Sequence, residues 1–144
     1  MKLIVTHSID PDTAEAAAEL IADARQQLGG VQPAAGILYV AMDIDHAVLV
    51  EQLTAAFPGI ALIGCSTDGE VSSAAGFHAD STVLILFASE TITIRAGLGR
   101  SVGADPAAAV QQAIAMARQP HDPPIRLCIA LPDGLTVSGT AITE

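Results

Sequence analysis

Short apolar runs alternating with capped, amphipathic segments predict an α/β fold: a layered, mixed β-sheet with flanking helices, in the order β-α-β-α-β-β-β-α-β. Three observations lead there. Residues 37–41, 60–65, 83–87 and 127–131 are apolar at successive positions, which marks strands covered on both faces. Aspartates stand just ahead of three stripes with helical spacing. Residues 91–95 alternate strictly, as a strand with one wet face does, and with 83–87 they suit an antiparallel hairpin.

Taken in chain order, residues 3–5 read as a first strand. Asp10 then supplies an N-cap, Pro11 the first helical position and Asp12 an acid in the first turn, ahead of Ala17, Leu20, Ile21, Ala24 and Leu28 on one face. Gly29 and Gly30 stop that helix. The strand at 37–41 is followed by Asp43 and Asp45 as candidate caps and by the stripe Leu49, Val50, Leu53 and Phe57, which Pro58 and Gly59 end. After the strand at 60–65, the predicted hairpin places Ile92 and Ile94 inward, with Thr93 and Arg95 outward. Asp105 and Pro106 open a third helix through Val110, Ala113, Ile114 and Ala117, and residues 125–131 form the last strand. The alternation predicts one more helix where the chain ends, so the 144 residues read as a single domain, 1–144, truncated at its C-terminus.

Composition narrows the function. Hydrophobic residues make up 51% and charged residues 15%, with mean hydropathy +0.49, so the chain has the material for a core and not for disorder. Sixteen acidic against six basic residues give a formal charge of −10, and the one lysine is Lys2. That balance argues against nucleic acid and against anionic lipid surfaces. No run of about 18 apolar residues could insert directly into a membrane, and the N-terminus lacks a signal-peptide core. Cys65 and Cys128 are far apart and lie in strand-like runs, which fits reduced thiols and a cytoplasmic location.

The richest stretch is Gly64, Cys65, Ser66, Thr67, Asp68, Gly69 and Glu70, which puts a thiol, two hydroxyls and two carboxylates beside glycines at a strand's C-terminal end. Such ends are where α/β sheets hold ligands, and glycines let the backbone approach a bound group. A bland alternative is a turn whose side chains satisfy their own backbone. Cys65 or Ser66 could also be the nucleophile of a thiol- or hydroxyl-dependent hydrolase, but the spacing is not that of a G-x-S-x-G elbow and any base must come from a distant histidine. The glycines at 97, 99 and 103 miss the dinucleotide-binding spacing by one residue and read as a connection. No short Cys/His spacing suggests zinc, and no cofactor is implied.

These residues resemble a known family. The run ending at Val40 and Ala41, the block Ile63 to Val71 followed by Gly76, and Leu131, Pro132, Asp133, Gly134 and Leu135 look like the N-terminal portion of a FIST domain, a sensory domain of intracellular signal transduction. The resemblance implies a module that binds a small-molecule ligand, amino-acid-like in proposals for the family, and passes its state to a signalling output domain. A complete domain of that kind is similar to this chain extended by a C-terminal half. On this reading the candidate ligand-binding residues are Cys65, Ser66, Thr67, Asp68, Gly69, Glu70, Asp133 and Gly134. No catalytic constellation is complete, so a non-enzymatic sensor is the expectation. A truncated sheet is also expected to expose apolar surface and to self-associate.

Overall fold

A computed structural model of the chain describes residues 1–143, which divide into two compact units, Met1–Ile94 and a second that begins at Arg95. The first is α/β with a mixed sheet. Its elements are β1 (Lys2–Ser8), α1 (Thr13–Leu28), β2 (Ala35–Ala41), α2 (His46–Ala56), β3 (Ala61–Thr67), β4 (Glu70–Ser72), β5 (Gly76–His78) and β6 (Thr82–Ala88). Four strands form the main sheet in the order β1-β6-β2-β3, with β2 and β3 parallel and β6 antiparallel to both its neighbours. It follows that β1, β2 and β3 all run the same way and end on the same side. Strands β4 and β5 make a separate antiparallel hairpin.

The register sorts side chains by face. Ile4, Leu86 and Leu62 form one row and Thr6, Leu84, Leu38 and Gly64 the next. This face meets Leu20, Ala24 and Leu28 of α1 and Leu49 and Leu53 of α2, which together make the hydrophobic core. The opposite face carries Val5, Val83, Ile85, Ile37 and Ile63. Both faces are therefore apolar, as the unbroken runs in β2 and β6 predict. Gly36 and Gly64 keep the rows tight: a Cβ on Gly64 would lie 2.4 Å from the Leu38 carbonyl oxygen.

The helix caps hold their expected chemistry, with one shift in position. Asp12, rather than Asp10, caps α1 by accepting from the N–H groups of Ala14 and Glu15, while Asp10 accepts from Asp12 N–H at 2.8 Å. Asp45 caps α2 and Gly29 closes α1 at φ 63°.

Three expectations about strands need correction. β3 is an end strand of the main sheet, half-buried at most positions and exposed at Gly64 and Ser66, not covered on both faces. Residues 91–95 form no strand, because both edges of β6 are already occupied by β1 and β2 and no hairpin partner fits. Ser89 instead turns the chain by accepting from the N–H groups of Thr91 and Ile92, and Ile92 is exposed. Residues 125–131 form no strand either, and Leu127 is 78% exposed: a ladder needs a partner, and the second unit contains no other strand among the described residues. Strands β4 and β5, of three residues each, were not expected.

The second unit contains α3 (Pro106–Ala117), capped by Asp105 with proline at its start, and the short α4 (Gly139–Thr143) where the alternation calls for a helix. The glycines before α3 have a packing role. A Cβ on Gly97 would sit 2.0 Å from the Ala113 carbonyl oxygen, and one on Gly99 2.0 Å from that of Ala109. They let the incoming segment lie against the helix backbone, which accounts for the Gly-x-Gly spacing without a nucleotide.

Candidate functional site

Polar residues gather at the carboxyl ends of the three co-directional strands. Among the described residues the buried polar or charged ones are Thr6, Ser8, Glu70, Ser81 and Thr82, all at this end of the first unit. Burying such groups is costly unless they are paired. Ser8 Oγ donates to Glu19 of α1 at 2.6 Å, and the Glu70 carboxylate takes three donors. Thr67 Oγ1 donates to its Oε1, and the N–H and hydroxyl of Ser81 donate to its Oε2. Glu70, 3% exposed, thus ties the end of β3 to the start of β6.

The 65–70 block is split by this arrangement. Thr67 and Glu70 are joined and turned inward. Asp68 is exposed, and no hydrogen bond to its side chain is found among the described residues. Gly69 lies under the Phe77 ring, where a Cβ would meet the ring at 2.9 Å. Alternation along β3 sends Cys65 and Ser66 to opposite faces. Gly64, Cys65, Ser66 and His46 all border a shallow depression of about 230 Å³ between β3 and α2. Burial pushes the Cys65 thiol up from its ordinary range, the wrong direction for a thiolate nucleophile. His46 is committed through Nε2 to the Ala41 carbonyl oxygen at 3.2 Å.

Asp133 and Gly134 lie in the second unit. Asp133 accepts from Leu135 N–H at 3.0 Å and from Thr136 Oγ1 at 2.9 Å, and these two donors hold its carboxyl below the usual carboxylate range. It borders an open notch with Arg100, Ser101 and Gly103. Within its own unit it is a turn former.

Residues that the motif did not flag complete the site in the first unit. The inner face of the β4–β5 hairpin presents Glu70, Ser72 and His78, and His7 of β1 meets it. His7 Nδ1 lies 2.8 Å from Ser72 Oγ, and the His7 and His78 rings meet edge to face at 5.3 Å. His7 Nε2 and Thr82 Oγ1 are buried with no partner. No sequence spacing could have joined His7 to Ser72, 65 residues away. Among the described residues no set of three or more His, Cys, Asp or Glu side chains is arranged to hold a metal ion, and no helix is long and apolar enough to cross a membrane.

A family model described as the FIST N domain matches residues 34–144. Nothing among curated proteins or solved structures matches the chain.

Proposed function

The chain belongs to the FIST N domain family, a family of sensory domains and not a known enzyme domain, and from that premise we propose that it senses a small, amino-acid-like ligand at the loop after β3. The observation that carries this reading is the contrast between neighbouring carboxylates. Glu70 is buried and fully engaged, while Asp68, two residues away, projects from the same braced loop with its charge unused. The Ser66 hydroxyl and the loop N–H groups would receive a ligand carboxylate, and Asp68 would hold its ammonium. Glu70, Thr67 and Gly69 act as positioning residues: two brace the loop and one lets it pass beneath Phe77. Occupancy would be passed to an output domain of a cytoplasmic signalling protein, with self-association as one route.

The hydrolase alternative is weakened by the raised Cys65 thiol and by the engagement of His46, which shares the depression with Ser66, with the Ala41 carbonyl oxygen. Calorimetric titration of the chain with each of the twenty amino acids, paired with melting curves, tests the proposal. Losing a charge-assisted hydrogen bond costs about 1.5–3 kcal/mol, so Asp68→Ala should weaken binding about ten- to a hundredfold and leave the melting temperature unchanged. Unchanged affinity beside a lowered melting temperature would mean that Asp68 only shapes its own turn.

A further inference from the structure

The β4–β5 hairpin has three residues per strand and stands apart from the main sheet, so its own ladder is too short to hold it in place. Its outer face is an exposed cross-strand pair, Val71 and Phe77, 76% and 66% accessible, which adds little burial. What fastens it is the inner face, through Glu70 to Ser81 and through Ser72 to His7.

Hydrogen-bond accounting fixes the state of that second link. Ser72 Oγ accepts from the N–H groups of Ala74 at 3.2 Å and Ala75 at 3.1 Å, which form the hairpin turn. A hydroxyl has two acceptor sites and one proton, so its own hydrogen goes to His7 Nδ1. His7 is then the neutral ring with its proton on Nε2, the buried atom without a partner. Adding a proton at Nδ1 would place two donors face to face. Ser72 could accept it only by releasing a turn N–H, and the new charge would sit against the His78 ring.

We propose that the hairpin is a proton-released clasp, locked to β1 while His7 is neutral and let go when the ring gains a proton on Nδ1. The titratable groups facing His7 are His78 from β5 and Glu70 from β4, while β6 places Val83 beside it. Burial first, and His78 second, hold His7 below its ordinary value, with Glu70 acting the other way. A native value depressed below that of the unfolded chain means the clasp is fully closed above about pH 6.5 and loosens as pH falls toward the native value. Because Glu70 belongs to the same hairpin, opening would also unbrace the loop that carries Asp68. The clasp stands on contacts separate from any ligand, so it holds or fails independently of the sensory reading.

Amide hydrogen exchange on the whole chain, followed by NMR from about pH 7.5 to about pH 5 and corrected for intrinsic rates, reads the clasp at Ser81, Ala74 and Ala75. Protection at these amides should fall relative to Leu38 of β2 by up to roughly tenfold per pH unit, the limit for one proton. His7→Gln, which does not titrate, should flatten that dependence. It keeps Glu70, so any loosening routed through the carboxylate would persist. Protection that tracks Leu38 at every pH, or the same fall in His7→Gln, overturns the proposal. Should that variant not fold, nitrogen shifts of the wild-type ring decide: a neutral ring protonated on Nε2, with a titration mirrored at the Ser81 amide, supports the clasp. A ring protonated on Nδ1 excludes it.

Discussion

Glu70 and Asp68 show how far residue type can mislead and how burial corrects it. Both are acids in one polar loop, and the sequence offers them equally as partners for a cation. The fold gives them different work: Glu70 accepts three hydrogen bonds in the interior, and Asp68 faces solvent. Truncating Glu70 would strand the Ser81 N–H and leave the Thr67 and Ser81 hydroxyls only their long contacts to the Val40 and His78 carbonyl oxygens, so Glu70→Ala should lower unfolding free energy by about 2 kcal/mol, read from urea melts. Glu70→Gln keeps the shape and should lose less. A stability within about 0.5 kcal/mol of wild type for Glu70→Ala would show that the bracing role is wrong. The motif singles out Thr67 and Glu70 as ligand candidates, but not their engagement with each other and with Ser81. The part of His7, Ser72 and Ser81 was not legible, because strands distant in sequence bring them together.

At the scale of elements, what was legible was local. Asp45 and Asp105 cap helices where the pattern puts them, since a cap needs only a side-chain oxygen and the next turn's N–H groups. Strand partnership is not local. Residues 83–87 read correctly as an antiparallel strand, yet β6 pairs with β1 and β2, and the predicted partner at 91–95 has no edge left to join. The end position of β3 was likewise hidden, because an apolar run records covered faces and not occupied edges. Close approach of β3 to β2 depends on Gly64, whose added Cβ would strike the Leu38 backbone oxygen at 2.4 Å. Gly64→Ala should therefore cost about 2 kcal/mol, in the range for overpacking a tight contact. Gly134→Ala, with nothing within 4 Å, should melt within about 0.5 kcal/mol of the parent chain. Equal melting of the two variants would contradict the tight β2–β3 contact.

For the whole molecule, the division of labour follows burial. Among the described residues nearly all buried hydrophobic ones belong to the first unit, and Ala109 alone represents the second. The first unit accordingly combines a rigid sheet with a polar rim at its strand ends, where a loop can be held in a fixed shape and still present unused groups. The sequence revealed the class of fold, the family resemblance and the polar loop. It could not reveal which of the loop's groups are spent on the fold and which are left without a hydrogen bond. The most direct measurement is to map amide shifts of the chain by NMR while titrating each of the twenty amino acids. Saturable shifts from at least one of them, largest at Ser66, Thr67, Asp68 and Gly69, are the expected result. Saturable shifts confined to other parts of the chain, or none from any of the twenty, would contradict the assignment of the loop after β3 as the sensing site.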